Sequence, residues 1–446
     1  MSPIILARVV LAALIIGGAA RVGLAQPLLP QFADDLHLGV ASCAGSTCHG
    51  SLETWKDSPV LQNEYNIWTR KDKHAKAYEV LQNAQSKRMA RNLGLESAHT
   101  AKICLDCHAD NVGEELRGKR FQLSDGVGCE ACHGGSIRWL GPHVSGKGSH
   151  KENIELGMYP TEDPLQRARL CLSCHYGNAD KFVTHRILGA GHPRLSFELD
   201  TFTAIQPKHF VVDRDYRERK TVWSGVQVWA IGQAMAVQQT LEGIMNPKLA
   251  RSGPFPELAF YDCHACHHPM SQKRWTPRDG TRLGPGVIRL NDAHLLMLRH
   301  LTLRIAPDLA ALMRQKAIAL HGAASNGQGS IAEPAGDLHA ATGKVIAALA
   351  QHVFTPPDIE ALLLSIVQEG IAGEYLDYVA AEQTAMAIAA IVTAQKEAGS
   401  LSDGQAEPLN AAVKQLYSIV ESDEKYQPQQ FMVFLKQFAA AQSNLK

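Results

Sequence analysis

The 446-residue sequence has no excess of charge of either sign: Lys plus Arg and Asp plus Glu number 44 each. No basic stripe is present to follow a phosphate backbone, which argues against nucleic acid as a partner. Beyond the N-terminal stretch there is no apolar run of the ~20 residues that a bilayer span requires. Cysteine is absent from the 179 residues after His267, and none of the ten cysteines stands outside five short clusters between Cys43 and Cys266. The remaining composition, 45% hydrophobic and 6% aromatic, is ordinary for a soluble protein. The length allows two or three domains.

What is there is concentrated in those clusters. Cys129, Cys132 and His133 stand in DGVGCEACHGG as C-x-x-C-H, the attachment pattern of a c-type haem. Two thiols on one short turn can each add to a porphyrin vinyl group, and the histidine that follows is placed under the iron as its proximal ligand. The pattern recurs at Cys104, Cys107 and His108, at Cys171, Cys174 and His175, and at Cys263, Cys266 and His267. A wider copy, C-x4-C-H, stands at Cys43, Cys48 and His49. Structural zinc sites do not place a histidine directly after the second cysteine of every pair. Disulfides between such close neighbours would close very small loops and remove little entropy from the unfolded chain. Five covalent haems are therefore expected. A disulfide or a single-thioether site is the alternative at the wider motif, where two extra residues must bulge from the loop.

The first 25 residues read as a secretory signal peptide, with Arg8 followed by the apolar run Val9 to Ala20 and small residues near Gly23 and Ala25. Twelve apolar residues are short for a membrane span, so cleavage after Ala25 is expected, with an uncleaved anchor as the alternative. Loss of Arg8 and Arg21 would take the basic count of 44 to 42, against 44 acidic residues. Export to the periplasm agrees with the cysteine chemistry, since bacteria attach c-type haem outside the cytoplasm.

The cysteines divide the mature chain into a pentahaem domain over 26–290 and a helical domain over 291–446. With about 45 residues per porphyrin, haem faces must replace much of the usual core, and short helices with irregular chain are expected. A packing helix is read from Trp223 to Ile244. In the second part Ile359, Leu362, Leu363, Ile366 and Val367 share one helical face, with Thr355 as N-cap, Pro356 in the first turn and Gly370 as the stop. Further helices are expected around 292–321, 336–352, 373–397, 405–421 and 428–442, packed as an antiparallel bundle. The fold class is mainly α. A chain ending near Leu290 is expected to keep its haems.

An iron with one protein ligand has an open axial position. By context, His74 (in an apparent helix), His143 (in a Gly/Pro loop), His185 and His192 are the distal candidates. Gly189, Gly191 and Pro193 prevent one straight helix from running through the last two. His99, His150, His209, His264 and His268 are reserves, and His294 and His300 are less easily dismissed than the other histidines of the helical part.

From Cys43 to Tyr176 the sequence resembles the cytochrome c-554 family of multihaem c-type cytochromes. The resemblance rests on Trp55 in TWKDS after the first motif, HAKAY at His74, CLDCHADNVG, GVGCEACHG with Gly-Pro-His ten residues beyond, and CLSCH, in that order. It implies a mostly helical, loop-rich wrap around stacked haems, electron transfer with redox partner proteins, and distal roles for His74 and His143. It also implies a candidate open haem at His108, where a small ligand such as nitric oxide would bind. The wider first motif, the added motif at Cys263 and the C-terminal helices depart from the family pattern. Two functions stay open. One is an electron carrier with saturated irons; the other is an oxidoreductase acting on a small nitrogen or sulfur compound at one five-coordinate haem. The C-x-x-C-K motif of some multihaem nitrite reductases is missing.

Overall fold

A computed structural model describes residues 26–56, 60–267, 280–284, 287–326 and 330–445. The expected signal peptide and His268 lie outside the described residues. The protein is mainly α. Its β-structure among the described residues is one antiparallel pair of two-residue strands, Arg251–Ser252 and Phe255–Pro256, with two isolated bridges.

The motif-bearing half is built of short helices joined by irregular chain. Among them are α1 (Lys102–His108), α2 (Cys129–His133), α3 (Pro164–His175), α4 (His185–Gly189) and α5 (Leu199–Ile205). The helix expected around HAKAY is interrupted. Asp72 is extended, and its carboxylate accepts from the backbone N–H of His74, so His74 sits in a separate 3-10 turn, Lys73–Lys76. A short acidic side chain competes with the helical backbone in this way. His143 in turn lies in a short helix, Leu140–Ser145, rather than in open loop.

The long helix α6 (Gly225–Met245) begins at the Ser224 cap and is buried on nearly every side. Val226, Trp229, Ala230, Ala234, Val237, Leu241 and Ile244 face the helical core, while Val228 and Ala236 pack with Ala168, Leu172, Phe197 and Leu199 of the motif-bearing half. Such burial on two sides explains its weak amphipathic pattern. Gly232 permits the close approach of α5, since a Cβ there would stand 2.6 Å from Leu199 Cβ.

The C-terminal helices are α7 (Ala293–Ile305), α8 (Pro307–Asn326), α9 (Ala332–Leu349), α10 (Pro356–Ile371), α11 (Tyr378–Glu397), α12 (Asp403–Ile419) and α13 (Pro428–Ser443). The single helix expected at 292–321 is two, broken at Ala306, because the residue before a proline is sterically pushed out of the α region. Helix α6 packs against α7, α9 and α11. The helical core therefore crosses residue 290, and α6, from the chain before it, is one of its helices.

Helix α10 carries a complete capping box. Thr355 Oγ1 accepts from Asp358 N–H, and the Asp358 carboxylate accepts from Thr355 N–H and from Arg304. Burial pushes the Asp358 carboxyl up, but the bonds from Thr355 and Arg304 outweigh it and hold the group down at about 2. Its contribution to stability is thus fully present above the unfolded-chain value of 3.8 and is lost as the pH falls through about 2. Thr355→Ala is expected to cost about 1 kcal/mol. Asp358→Asn should lower the thermal midpoint at neutral pH by an amount that shrinks towards pH 2; a difference that stays constant with pH would contradict this account.

Candidate functional site

In α1, α2 and the end of α3 the two cysteines stand at i and i+3 and the histidine at i+4, so all three lie on one helical face. The fifth motif opens a 3-10 turn, Cys263–Ala265, after the Asp262 cap. The wider first motif closes without a helix. Cys48 N–H donates to Gly45 O at 2.8 Å and His49 N–H to Cys43 O at 3.2 Å, so the extra residues form a turn that still brings the histidine back to the first cysteine. Gly50 is needed there, since a Cβ would collide with Ala44 O. No disulfide joins any of the ten cysteines.

Each motif histidine faces a second histidine. Ring centres are 6.1 Å apart for His49 and His143, 6.3 Å for His108 and His192, and 6.4 Å for His133 and His209. They are 6.0 Å apart for His175 and His74, and 6.2 Å for His267 and His185. Two imidazoles bonded to one iron, each through a nitrogen at about 2 Å, would hold their centres about 6 Å apart. The five pairs fit that requirement. In four of the ten rings the second nitrogen is engaged at 2.9 Å or less, as it commonly is in metal-ligating imidazoles. Nδ1 meets Glu64 in His49 (2.9 Å), Asp72 in His74 (2.9 Å), Ala77 O in His108 (2.9 Å) and Pro193 O in His192 (2.7 Å). In each of these four, Nε2 is left for an iron. Burial pushes His133 down to about 3 and His175 down to about 4, which keeps both rings in the neutral form that can ligate.

The sequence reading brought out His74, His143, His185 and His192, and each stands opposite a motif histidine. His209 was only a reserve. It lies in an irregular stretch, held by a 3.4 Å contact of its ring with Pro207 O, and carries no periodic signal. His108, the residue implied for an open iron, has His192 across from it. Of the other reserves, His150 pairs with Glu162 at 2.6 Å, His99 lies against Tyr78 and His264 against Tyr378. His294 and His300 are buried in the helical core, bonded to Gln233, and to Ser365 and Tyr375, respectively.

The motifs are themselves neighbours. The Cys43 thiol interacts with Cys129, and Cys107 with Cys174; Cys132 lies within electrostatic reach of Cys171 and Cys174. Buried polar groups lock this arrangement. Glu130, inside the third motif, accepts from Leu38 N–H, Gly39 N–H and both donors of Ser136, and His37 pairs with Asp110 at 2.7 Å. The helical part reaches in as well. Arg194 Nη2 donates to both carboxylate oxygens of Glu382 at 3.0 Å, and its guanidinium lies over Tyr378, whose ring is 5.3 Å from His264. Arg289 joins Asp262 to Asp377, and Gln383 donates to Phe197 O, whose ring stacks on His175 at 4.8 Å. Neither Glu130 nor this α11 clasp has a local sequence signature.

Repeated attachment motifs, each with a facing pair of histidines, are the arrangement of a c-type cytochrome, in which haem is covalently bound. Within that class, residues 42–134 match the family described as cytochrome c554 and c-prime. The chain resembles cytochrome c-554 of Nitrosomonas europaea, with 28% identity over 145 residues, 29% of this chain and 54% of the relative. It thus spans about half the length of that curated relative. No solved structure matches the chain.

Proposed function

We propose that this protein is a periplasmic electron carrier that passes electrons between redox partner proteins through five covalently bound haems, each held between two histidines. The observation that carries the proposal is the set of five facing histidine pairs. The attachment residues are Cys43 and Cys48, Cys104 and Cys107, Cys129 and Cys132, Cys171 and Cys174, and Cys263 and Cys266. The proximal ligands are His49, His108, His133, His175 and His267; the distal ligands are His143, His192, His209, His74 and His185, in the same order.

Bound haem supplies a one-electron couple whose potential follows ligand type, burial and nearby charge. The protein's part would be to fix the two histidines that hold each haem, so that little rearranges on electron transfer, and to keep successive sites close together. The neighbouring cysteines support an order running from the first motif to the third, the fourth and the second. His185 and His192, at either end of the α4 segment, join the second site to the fifth. Residues 26–290 would carry the haems, with 291–446 as a helical support that shares α6. Among the described residues no helix is long and apolar enough to cross a membrane. Catalysis on a small nitrogen or sulfur compound, or binding of nitric oxide, would need a vacant iron, and His192 opposite His108 argues against the one the resemblance implies.

Mass spectrometry of the intact exported chain tests the count. A mass for five haems is expected. Four or fewer would overturn it, with Cys43 and Cys48 the first place to look for the missing one.

A further inference from the structure

Lys181 is 7% exposed, and its ammonium meets an amide oxygen, a backbone carbonyl and a cysteine sulfur. Nζ donates to the Asp106 carbonyl at 3.0 Å, to Cys174 Sγ at 3.0 Å and to Gln31 Oε1. Asp106 lies within the second attachment motif and Cys174 in the fourth, so the charge stands between two sites. Its field reaches the sulfurs of both Cys107 and Cys174. The side-chain carboxylate of Asp106, whose backbone carbonyl Lys181 meets, is itself bound by Lys102 at 2.6 Å and Asn111 at 2.6 Å. The loop that carries Lys181 is fixed by Asn178, whose backbone N–H donates to Lys181 O and whose side chain accepts from Lys181 N–H. A buried cation without an ion-pair partner is costly unless fully hydrogen-bonded, and here all three ammonium donors are used.

We propose that Lys181 sets the reduction potentials of the haems attached through Cys107 and Cys174, making them easier to reduce than their bis-histidine ligation alone would. This rests on the electron-carrier reading above. When one of these sites accepts an electron from a neighbouring site, the negative charge gained lies close to a fixed positive charge in surroundings that screen it poorly. The site is reduced by one electron as its neighbour is oxidised by one. No bond forms or breaks, and the proton stays on Nζ. Once Cys174 is a thioether its sulfur accepts more weakly, but the Asp106 carbonyl and Gln31 keep the ammonium in place. Lys181 is a positioning and field-setting residue, not a ligand.

The test is a spectroelectrochemical titration of the purified holoprotein and of Lys181→Met, Lys181→Gln and Lys181→Arg. The two neutral variants should keep five haems by mass and low-spin ferric spectra. The ferrous-to-ferric ratio of at least one haem should fall about tenfold at a fixed ambient potential, a downward shift of about 59 mV for a one-electron couple. Lys181→Arg should titrate close to the native protein. Gln31→Glu, which keeps Lys181 but sets a carboxylate against it, should shift the same haem downward and covers the case in which the lysine variants fail to fold. Neutral variants that titrate like the native protein, or an arginine variant shifted as far as Lys181→Gln, would overturn the proposal. A high-spin ferric signal in the native protein would instead count against the electron-carrier reading.

Discussion

His192→Gly is expected to convert one of five low-spin ferric haems to high spin without loss of haem. In the native ferric protein, electron paramagnetic resonance should show low-spin signals alone, because each motif histidine has a facing partner with ring centres 6.0 to 6.4 Å away. His192 is well suited to a single-site test. Its ring is oriented by the Nδ1 contact with Pro193 O, and its loop is pinned by bonds from Gln85 to Gly191 O and from Asn92 to Ala190 O. The backbone should therefore survive loss of the side chain. Attachment through Cys104 and Cys107 and ligation by His108, as proposed, would not involve His192, so haem content should be unchanged. The opened iron should then bind nitric oxide or added imidazole, and imidazole should restore the low-spin spectrum. A high-spin signal already present in the native protein would sink the saturated reading. It would return the site at His108 to candidacy as the open iron that the family resemblance implies.

A chain ending after Leu290 should not yield a soluble protein with five haems. The sequence suggested otherwise, because it places no haem ligand firmly beyond about residue 300. In the structure, removal of 291–446 strips the partners from Val226, Trp229, Val237, Leu241 and Ile244 on α6, all of which are buried. At about 1.5–3 kcal/mol for each large apolar side chain exposed, five such residues cost about 10 kcal/mol, comparable to the whole stability of an ordinary domain. The fifth site should suffer first, since Asp377, which caps α11, and Tyr378 and Glu382 within it hold Arg289, His264 and Arg194 around it. Haem-stained gels and mass spectrometry of the exported fragment would check this. A soluble fragment with all five haems would show that the motif-bearing half folds and matures alone.

These two outcomes turn on different kinds of information. The attachment residues are legible one motif at a time, because two thiols and an imidazole at fixed spacing must lie on one turn to meet a single porphyrin. The capped amphipathic helix at Thr355 is legible for the same reason, since its cap, its apolar face and its turns are all local. His209 was not singled out because a distal ligand comes from wherever the chain passes the far side of a haem, a matter of tertiary path without local periodicity. Helix α6 was legible as a packing element from its helical spacing, but that spacing does not say which half of the chain it packs against, and it is buried on both sides.

The sequence by itself determined the chemistry, covalent haem at C-x-x-C-H segments, and the helical character of the chain, because both depend on contacts within a few residues. Only the tertiary structure decided which histidine faces which, how the motifs neighbour one another and where the helical core begins. Those are contacts between residues as far apart as Gln31 and Lys181 or Arg194 and Glu382, and they form only when the whole chain has closed its buried polar and apolar groups against each other.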